Sequence, residues 1–268
     1  MCASRAGAWV LGRTTAVAVA MGKCSLSDEE VKLFAPSVPY GQWDPNWDGV
    51  VRDRGLRKQR LPTRHILLIR HGQYDESHKE DALRRLTDLG EQQAKLTGER
   101  LRDMLDGSSA RVRLRCSTMT RARETCEIIK PYLPARTIVE PPDPNLAEGR
   151  PAQAIPGRPF DANLVHKDGT RIEKAYRSLF YRALQPTPQD DPDHEWDVVV
   201  CHGNVIRYMA MRAVQLPPEA WLRLCTFNCS ITYVIVRPSG SVSLRTLGDI
   251  GHLPTKLVSF SAHQAFEW

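Results

Sequence analysis

The sequence predicts a three-layer α/β/α fold around a mostly parallel sheet, and three observations carry that prediction. "HILLIRH" at 65–71 is a continuous apolar run of strand length, the pattern of a strand covered on both faces. Strand, turn and amphipathic helix then recur in order along the chain. Two strand candidates also end in His-Gly, "LIRHGQ" and "VVCHGN", at the sheet edge where open α/β folds bind ligands.

Each element follows from local pattern. After the first strand, Thr87 can cap a helix with Ala94, Thr97, Leu101, Met104 and Leu105 on one stripe. "VRLRCS" is the second strand, and the helix from about Thr120 turns Ala122, Cys126 and Ile129 inward before stopping at Pro131. A Pro-rich loop, "EPPDPNLAEGRPAQAIPGRP", precedes a third helix with Ile172, Tyr176, Leu179, Phe180 and Ala183 at helical spacing. "WDVVVCHGN" is another buried strand, followed by a helix that buries Ile206, Met209, Ala210 and Ala213. "ITYVIVRP", the turn "SG" and "VSLRTLGD" form a hairpin that extends the sheet.

A chain of 268 residues with 41% hydrophobic content can bury one large core, so the expectation is one catalytic domain, 64–268, behind a tail. Residues 28–63 lack a sustained apolar period and carry Pro36, Pro39, Pro45, Gly41, Gly49 and Gly55. Of the formal charge of +6, most falls before the first strand, where residues 1–64 hold 10 Lys/Arg against 6 Asp/Glu. Arg52, Arg54, Arg57, Lys58, Arg60 and Arg64 face Asp53 alone, which reads first as a solvated linker and second as a contact for an anionic partner. No aromatic residues are interleaved with these charges, so nucleic acid is not an expected partner. Residues 1–27 carry Arg5, Arg13 and Lys23, the apolar "TAVAVAMG" and no carboxylate. They are a candidate targeting segment or short membrane anchor, with an unaddressed tail as the competing reading. The seven cysteines form no C-x-x-C pair and sit mostly in apolar contexts, the usage of reduced, buried thiols.

The chemistry gathers at the strand ends. Two His-Gly ends, with Arg70 beside one and Arg121 opening a helix, describe a convergent cationic pocket suited to a phosphate monoester. A neutral imidazole approaches that anion without charge repulsion, one nitrogen offering its lone pair while the other is fixed by a hydrogen bond. His71 is the expected nucleophile. Arg70 and Arg121 can grip phosphoryl oxygens through paired N–H groups, and a protonated His202 would donate to another. Gly72 and Gly203 are expected to admit the ligand close to the backbone. The leaving alkoxide needs a general acid, for which Glu148 in "NLAEGRP" is one candidate among 31 acidic residues.

These residues resemble the histidine phosphatase, or phosphoglycerate-mutase-like, superfamily. Arg70-His71-Gly72 ends the first strand as in that family. "CSTMTRARETCEII" is similar to its second phosphate-pocket segment, Ser-x-x-x-Arg-Ala-x-x-Thr, "LAEG" to its acid loop and "CHGN" to its second histidine, all in the family's order across 64–250. The resemblance implies a phosphohistidine on His71, a phosphoryl group held by Arg70, Arg121, His202 and Gly203, and Glu148 as the acid that afterwards activates water. It implies no metal and no cofactor.

Within the family, mutases continue Arg-His-Gly-Glu-Ser-x-Trp-Asn, whereas this chain continues Gln73-Tyr74-Asp75, which argues against a mutase. "WDPNWD" at 43–48, "RLTDLGEQQAKLTGERL", "HGNVIRYMAMRAVQLPPEAWLRL" and "LRTLGD" are similar to the mitochondrial protein-serine/threonine phosphatase branch. That branch implies phosphoprotein substrates, a mitochondrial location, and a homo-oligomer built through Trp43, Asp44, Asn46, Trp47 and Asp48. Docked tryptophans contribute about 1.5–3 kcal/mol or more each, whether they dock on a neighbouring subunit or fold back on their own domain. Two other functions compete: a phosphatase for a small phosphorylated metabolite, since such a fold specifies phosphate better than its carrier, and an oligomeric signalling scaffold with a phosphate-sensing pocket. The intact set of His71, Arg70, Arg121, Glu148 and His202 argues against the scaffold.

Overall fold

A computed structural model describes residues 41–50, 61–106, 108–183 and 193–260. The segment 1–27 and the basic stretch 51–60 lie outside the described residues. Six strands form one sheet in the order β3-β2-β4-β1-β5-β6: β1 Thr63–Arg70, β2 Arg111–Cys116, β3 Ile138–Val139, β4 His194–Cys201, β5 Ile231–Val236 and β6 Val242–Asp249. Strands β3, β2, β4 and β1 are mutually parallel. The hairpin adds β5 antiparallel to β1 and β6 antiparallel to β5, so β5 alone runs against the rest.

Alternation along the strands divides the core in two. Ile66 and Leu68 of β1, Val199 and Cys201 of β4, and Val234 and Val236 of β5 share one face. Helices α3 (Ala162–Leu179) and α4 (Gly203–Ala213) cover it with Ile172, Tyr176, Ile206 and Met209. Leu67 and Ile69, Val198 and Val200, and Ile231 and Tyr233 share the other face. Helices α1 (Asp88–Leu105) and α2 (Thr120–Ile129) cover that one with Leu101, Leu105, Ala122, Cys126 and Ile129. The continuous apolar runs of β1 and β4 are thus explained: every residue meets a helix on one side or the other. Thr87 is the N-cap of α1, its hydroxyl accepting from Gly90 N–H at 3.2 Å.

One helix is shorter than its sequence pattern. The stripe read through Ala183 ends at Leu179, because Phe180 leaves helical geometry at ψ 102°. Arg64 then takes the carbonyls of Leu179 and Tyr181 that a longer helix would have used internally. Ala183 is buried from the chain beyond the helix.

The Trp-Asp-Pro-Asn-Trp-Asp segment folds onto its own chain. Trp47 packs against the α3/α4 core and donates its indole N–H to Gly240 O at 2.8 Å. The Asp48 carboxylate meets Arg182, which donates from its backbone N and Nε at 2.9 Å. Gln215 brackets Asp44, accepting from its N–H at 2.7 Å and donating to its carbonyl at 3.0 Å. Trp43 stays 41% exposed.

Candidate active site

The parallel register builds the site. Arg70 pairs with Cys201, so the next residues, His71 and His202, leave β1 and β4 side by side with ring centroids 5.1 Å apart. Helix α1 then departs to one face of the sheet and α4 to the other, which makes this the topological switch point where ligands bind in open α/β sheets. Strand β2 ends one step further over. Its successor Ser117 donates its N–H to Val200 O and shares a 2.8 Å hydrogen bond with His202 Nε2.

His71 is buried, and its Nδ1 lies 2.8 Å from Gly72 O. Only an N–H can satisfy that carbonyl, so Nδ1 carries the proton and Nε2 carries the lone pair. Arg121 Nε–H points at that lone pair from 3.1 Å. Burial first, then the charges of Arg121 and Arg70, hold the His71 pKa well below its ordinary value, so the ring is neutral at physiological pH. Burial, Arg121, His71 and Arg70 lower His202 in the same way. Burial and the neighbouring positive charges thus favour the neutral form of His202 in the protein by itself.

Arg70 is also buried, its Nη1 fixed on Thr226 O at 2.7 Å. Burial pushes its guanidinium down to about 10, still charged at neutral pH. Among the described residues, Arg70 Nε and His202 Nδ1 are buried polar atoms without a hydrogen-bond partner, an arrangement that an incoming anion relieves. Gly203 keeps room beside them: a Cβ there would lie 3.2 Å from Thr226 Oγ1 and 3.5 Å from Arg70 Nε. Gly72 has a different reason to be glycine than the expected approach to a ligand. A Cβ at Gly72 would come within 2.6 Å of Gly90 O, so its absence lets α1 pack against the strand end. Thr125 completes that corner, accepting from Gly72 N at 3.0 Å and donating to Arg121 O at 2.7 Å.

Glu148 reaches the same pocket, close enough for its charge to act on Arg70 and Arg121. Burial raises its pKa above the ordinary carboxylate range, while Arg121 and Arg70 oppose that rise. The acid loop is latched by α3. Arg171 donates from Nη1 to Ala147 O and from Nη2 to Glu148 O at 2.7 Å, and Asp168 anchors both Arg171 and Arg150 N. Asn204 on α4 holds Gly149 O at 3.0 Å. A Cβ on Gly149 would come within 2.3 Å of Arg171 and 2.6 Å of Asp168, so a side chain there would have to displace the ends of this latch.

Asp81 is a site neighbour that sequence reasoning missed. From the loop between β1 and α1, its Oδ2 accepts from Thr120 N–H at 2.9 Å and from Thr120 Oγ1 at 3.0 Å, and its Oδ1 lies 3.3 Å from Arg121 Nη1. It thereby caps α2, whose own N-cap Met119 makes no side-chain capping bond. Met119 sulfur instead receives the Glu148 N–H at 3.3 Å and Arg121 Nη2 at 3.5 Å. Nothing in the local sequence marks Asp81 or Arg171; Ser117 and Thr125 lie within the Ser-x-x-x-Arg-Ala-x-x-Thr pattern. The structure thus brings together Arg70, His71, Arg121, Glu148, His202 and Gly203, and leaves Trp43, Asp44, Asn46, Trp47 and Asp48 on the distant Gly240–Gln215 surface. Among the described residues no group of three or more His, Cys, Asp or Glu side chains is arranged to hold a metal ion.

A three-layer fold whose switch point carries two histidines and two arginines defines a class, and comparison with known proteins agrees with it: the chain belongs to the histidine phosphatase superfamily (branch 1), whose family model matches residues 66–249. Among curated relatives, it is 41% identical over 254 residues to "Serine/threonine-protein phosphatase PGAM5, mitochondrial" of Xenopus laevis, covering 87% of this chain and 89% of that one. It is 39% identical over 244 residues to the Homo sapiens protein of the same name, covering 82% and 81%. Among solved structures, a putative alpha-ribazole-5'-P phosphatase from Escherichia coli has a TM-score of 0.50 at 19% identity, covering 69% of this chain and 96% of that one, a likeness of fold alone.

Proposed function

We propose that this chain is a metal-independent protein-serine/threonine phosphatase working through a phosphohistidine on His71. The observation that carries the reading is the fixed tautomer of His71: Nδ1–H is held by Gly72 O, so the Nε2 lone pair is aimed into a pocket of guanidinium groups. The Nε2 lone pair attacks phosphorus, and the ester P–O bond breaks as Glu148 delivers its proton to the leaving serine or threonine oxygen. Arg70 and Arg121 hold the phosphoryl oxygens, and the dianion offsets the positive charges that, together with burial, keep His202 neutral, so that His202 becomes a donor in the complex. Water then attacks the phosphohistidine, giving a proton to Glu148, and the P–N bond breaks to release phosphate and restore neutral His71.

The names of the relatives support phosphoprotein substrates and a mitochondrial location. Exposed Trp43 supports a homo-oligomer formed through the Trp-Asp-Pro-Asn-Trp-Asp segment. Among the described residues no helix is long and apolar enough to cross a membrane, and the proposed N-terminal anchor lies outside them.

The test is rapid quenching with a phosphothreonine peptide carrying labelled phosphate. Wild-type protein is expected to retain label on His71 before product release, and His71→Ala to lose both label and turnover while keeping its melting temperature within a few degrees. Turnover by His71→Ala at the wild-type rate overturns the mechanism.

A further inference from the structure

Ser117 stands between β2 and α2 and is fully buried. Its main chain is held from two sides, by the N–H bond to Val200 O at 3.0 Å and by a parallel bridge to Asp143. That fixes Oγ 2.8 Å from His202 Nε2. His202 is the N-cap residue of α4 but makes no side-chain capping bond there, so its ring is committed to Ser117 rather than to the helix. The start of α2 does not account for the hydroxyl, because Asp81 already receives Thr120 N–H and Oγ1. A hydroxyl buried this deeply is costly unless its bonds are made, so its partners carry the explanation.

Counting those partners places a proton. A serine hydroxyl has one proton to give and two lone pairs to offer. Met119 N–H takes a lone pair from 3.3 Å. Among the described residues the hydroxyl's other partner is His202 Nε2, so the proton of Ser117 has one acceptor, the Nε2 lone pair. A neutral imidazole that accepts at Nε2 carries its own proton on Nδ1. Nδ1 is the buried ring atom that lacks a hydrogen-bond partner, in a pocket where Arg121 and Arg70 act on the same ring. The opposite tautomer would leave the Ser117 proton without an acceptor and present the Nδ1 lone pair to anionic oxygens.

Resting on the phosphohistidine reading above, we infer that Ser117 is a positioning residue that holds His202 in its Nδ1–H tautomer, so that the ring can donate to a phosphoryl oxygen before it gains a charge. The same hydroxyl serves the charged ring of the complex. When the bound dianion lets the ring take a second proton from solvent on Nε2, Ser117 Oγ turns from donor to acceptor and Nδ1–H stays where it was. The two histidines thus carry their proton on the same ring atom for opposite purposes. Gly72 O takes Nδ1–H of His71 and leaves a lone pair to attack, whereas Ser117 takes the Nε2 lone pair of His202 and leaves an N–H to donate.

The experiment records long-range proton–nitrogen correlation spectra of the full chain with isotope-labelled histidine, His202 being assigned by its loss in His202→Asn. Near neutral pH, wild-type His202 is expected to show a protonated Nδ1 and a bare Nε2, and Ser117→Ala to move it toward the Nε2–H form. Ser117→Ala is also expected to weaken inhibition by inorganic vanadate and to lower kcat on a phosphothreonine peptide by about tenfold each, less than the roughly 10²–10³-fold cost of removing such a donor outright. Ser117→Thr, which keeps the hydroxyl, should recover most of both. A hydroxyl with a purely structural role would change the melting temperature and leave the tautomer and the vanadate inhibition as they were. An Nε2–H His202 in the wild-type spectrum overturns this inference even where Ser117→Ala does not fold, and so does a folded Ser117→Ala with unchanged tautomer and vanadate inhibition; the phosphohistidine reading survives both results. Turnover by His71→Ala at the wild-type rate overturns that reading and this inference with it.

Discussion

Glu148 carries opposing demands at the scale of a single residue. A general acid must hold its proton near neutral pH, and burial provides that by raising its pKa. A carboxyl whose pKa is higher in the native state than in the unfolded chain binds more protons when folded. Stability then falls as pH rises from the ordinary carboxylate value toward the raised one, and the full cost persists above it. Glu148→Gln is accordingly expected to lower kcat by about 10²–10⁴-fold and, at neutral pH, to raise the melting temperature; the gain should vanish below pH about 4, where the unfolded chain is protonated too. An unchanged kcat would remove Glu148 from the chemistry. The histidines give the opposite slope. His71 and His202 have pKa values depressed from 6.5, so their contribution to stability is complete above that value and is lost as pH falls through it toward the depressed values. Thermal melts of wild-type protein should decline below pH about 6.5, and His202→Asn should flatten part of that decline.

At the scale of elements, the site depends on two tertiary latches. Asp81 ties the loop after β1 to the first turn of α2, and Arg171 ties α3 to the acid loop. Asp81→Ala removes a helix cap, for a loss of about 1 kcal/mol in stability, and frees Arg121, which should raise KM more than it lowers kcat. Arg171→Ala leaves three carbonyls of 145–148 without their donor and should lower kcat by about tenfold with KM less affected, since it displaces the acid rather than the phosphate grip. Steady-state kinetics on one phosphopeptide separates the two. These latches also mark what the sequence could and could not disclose. Strands β1 and β4 were legible because each carries an unbroken apolar run, and both histidines were legible because each closely follows its run. Glu148 became a firm candidate only through the "LAEG" resemblance, since one carboxylate among 31 has no local signature. Asp81 and Arg171 stayed hidden because their partners stand 39 and 23 residues away, and each reads in sequence as another surface charge. Gly72 was legible as a necessary glycine, but its reason, the close approach of Gly90, required the packing of α1.

At the scale of the whole molecule, the Trp-Asp-Pro-Asn-Trp-Asp segment divides into an inward and an outward half. Trp47 is packed on the domain core, and Asp48 forms an ion pair with Arg182 in which the side chains are 1% and 7% exposed. Removing one partner of a buried pair strands the other charge at a cost of about 3–5 kcal/mol. Trp43 is 41% exposed, and Leu216, next to the Gln215 that brackets Asp44, is 49% exposed. These two large apolar side chains stand one residue either side of a hydrogen-bonded clasp, and under the proposed homo-oligomer they are the ones a second copy would cover. Point substitutions therefore separate roles that deletion of the segment would merge. Asp48→Ala and Trp47→Ala should lower the melting temperature first, with any loss of assembly following from the damaged domain. Trp43→Ala combined with Leu216→Ser should leave the melting temperature of the isolated subunit nearly unchanged and lower the mass in solution, read by light scattering across a dilution series. Activity per subunit, measured on the same samples, then decides whether assembly controls catalysis: a fall that tracks the loss of mass would place that control in the outward half, and constant activity would confine the segment to architecture. A wild-type chain that scatters as a monomer at every concentration would refute the oligomer itself.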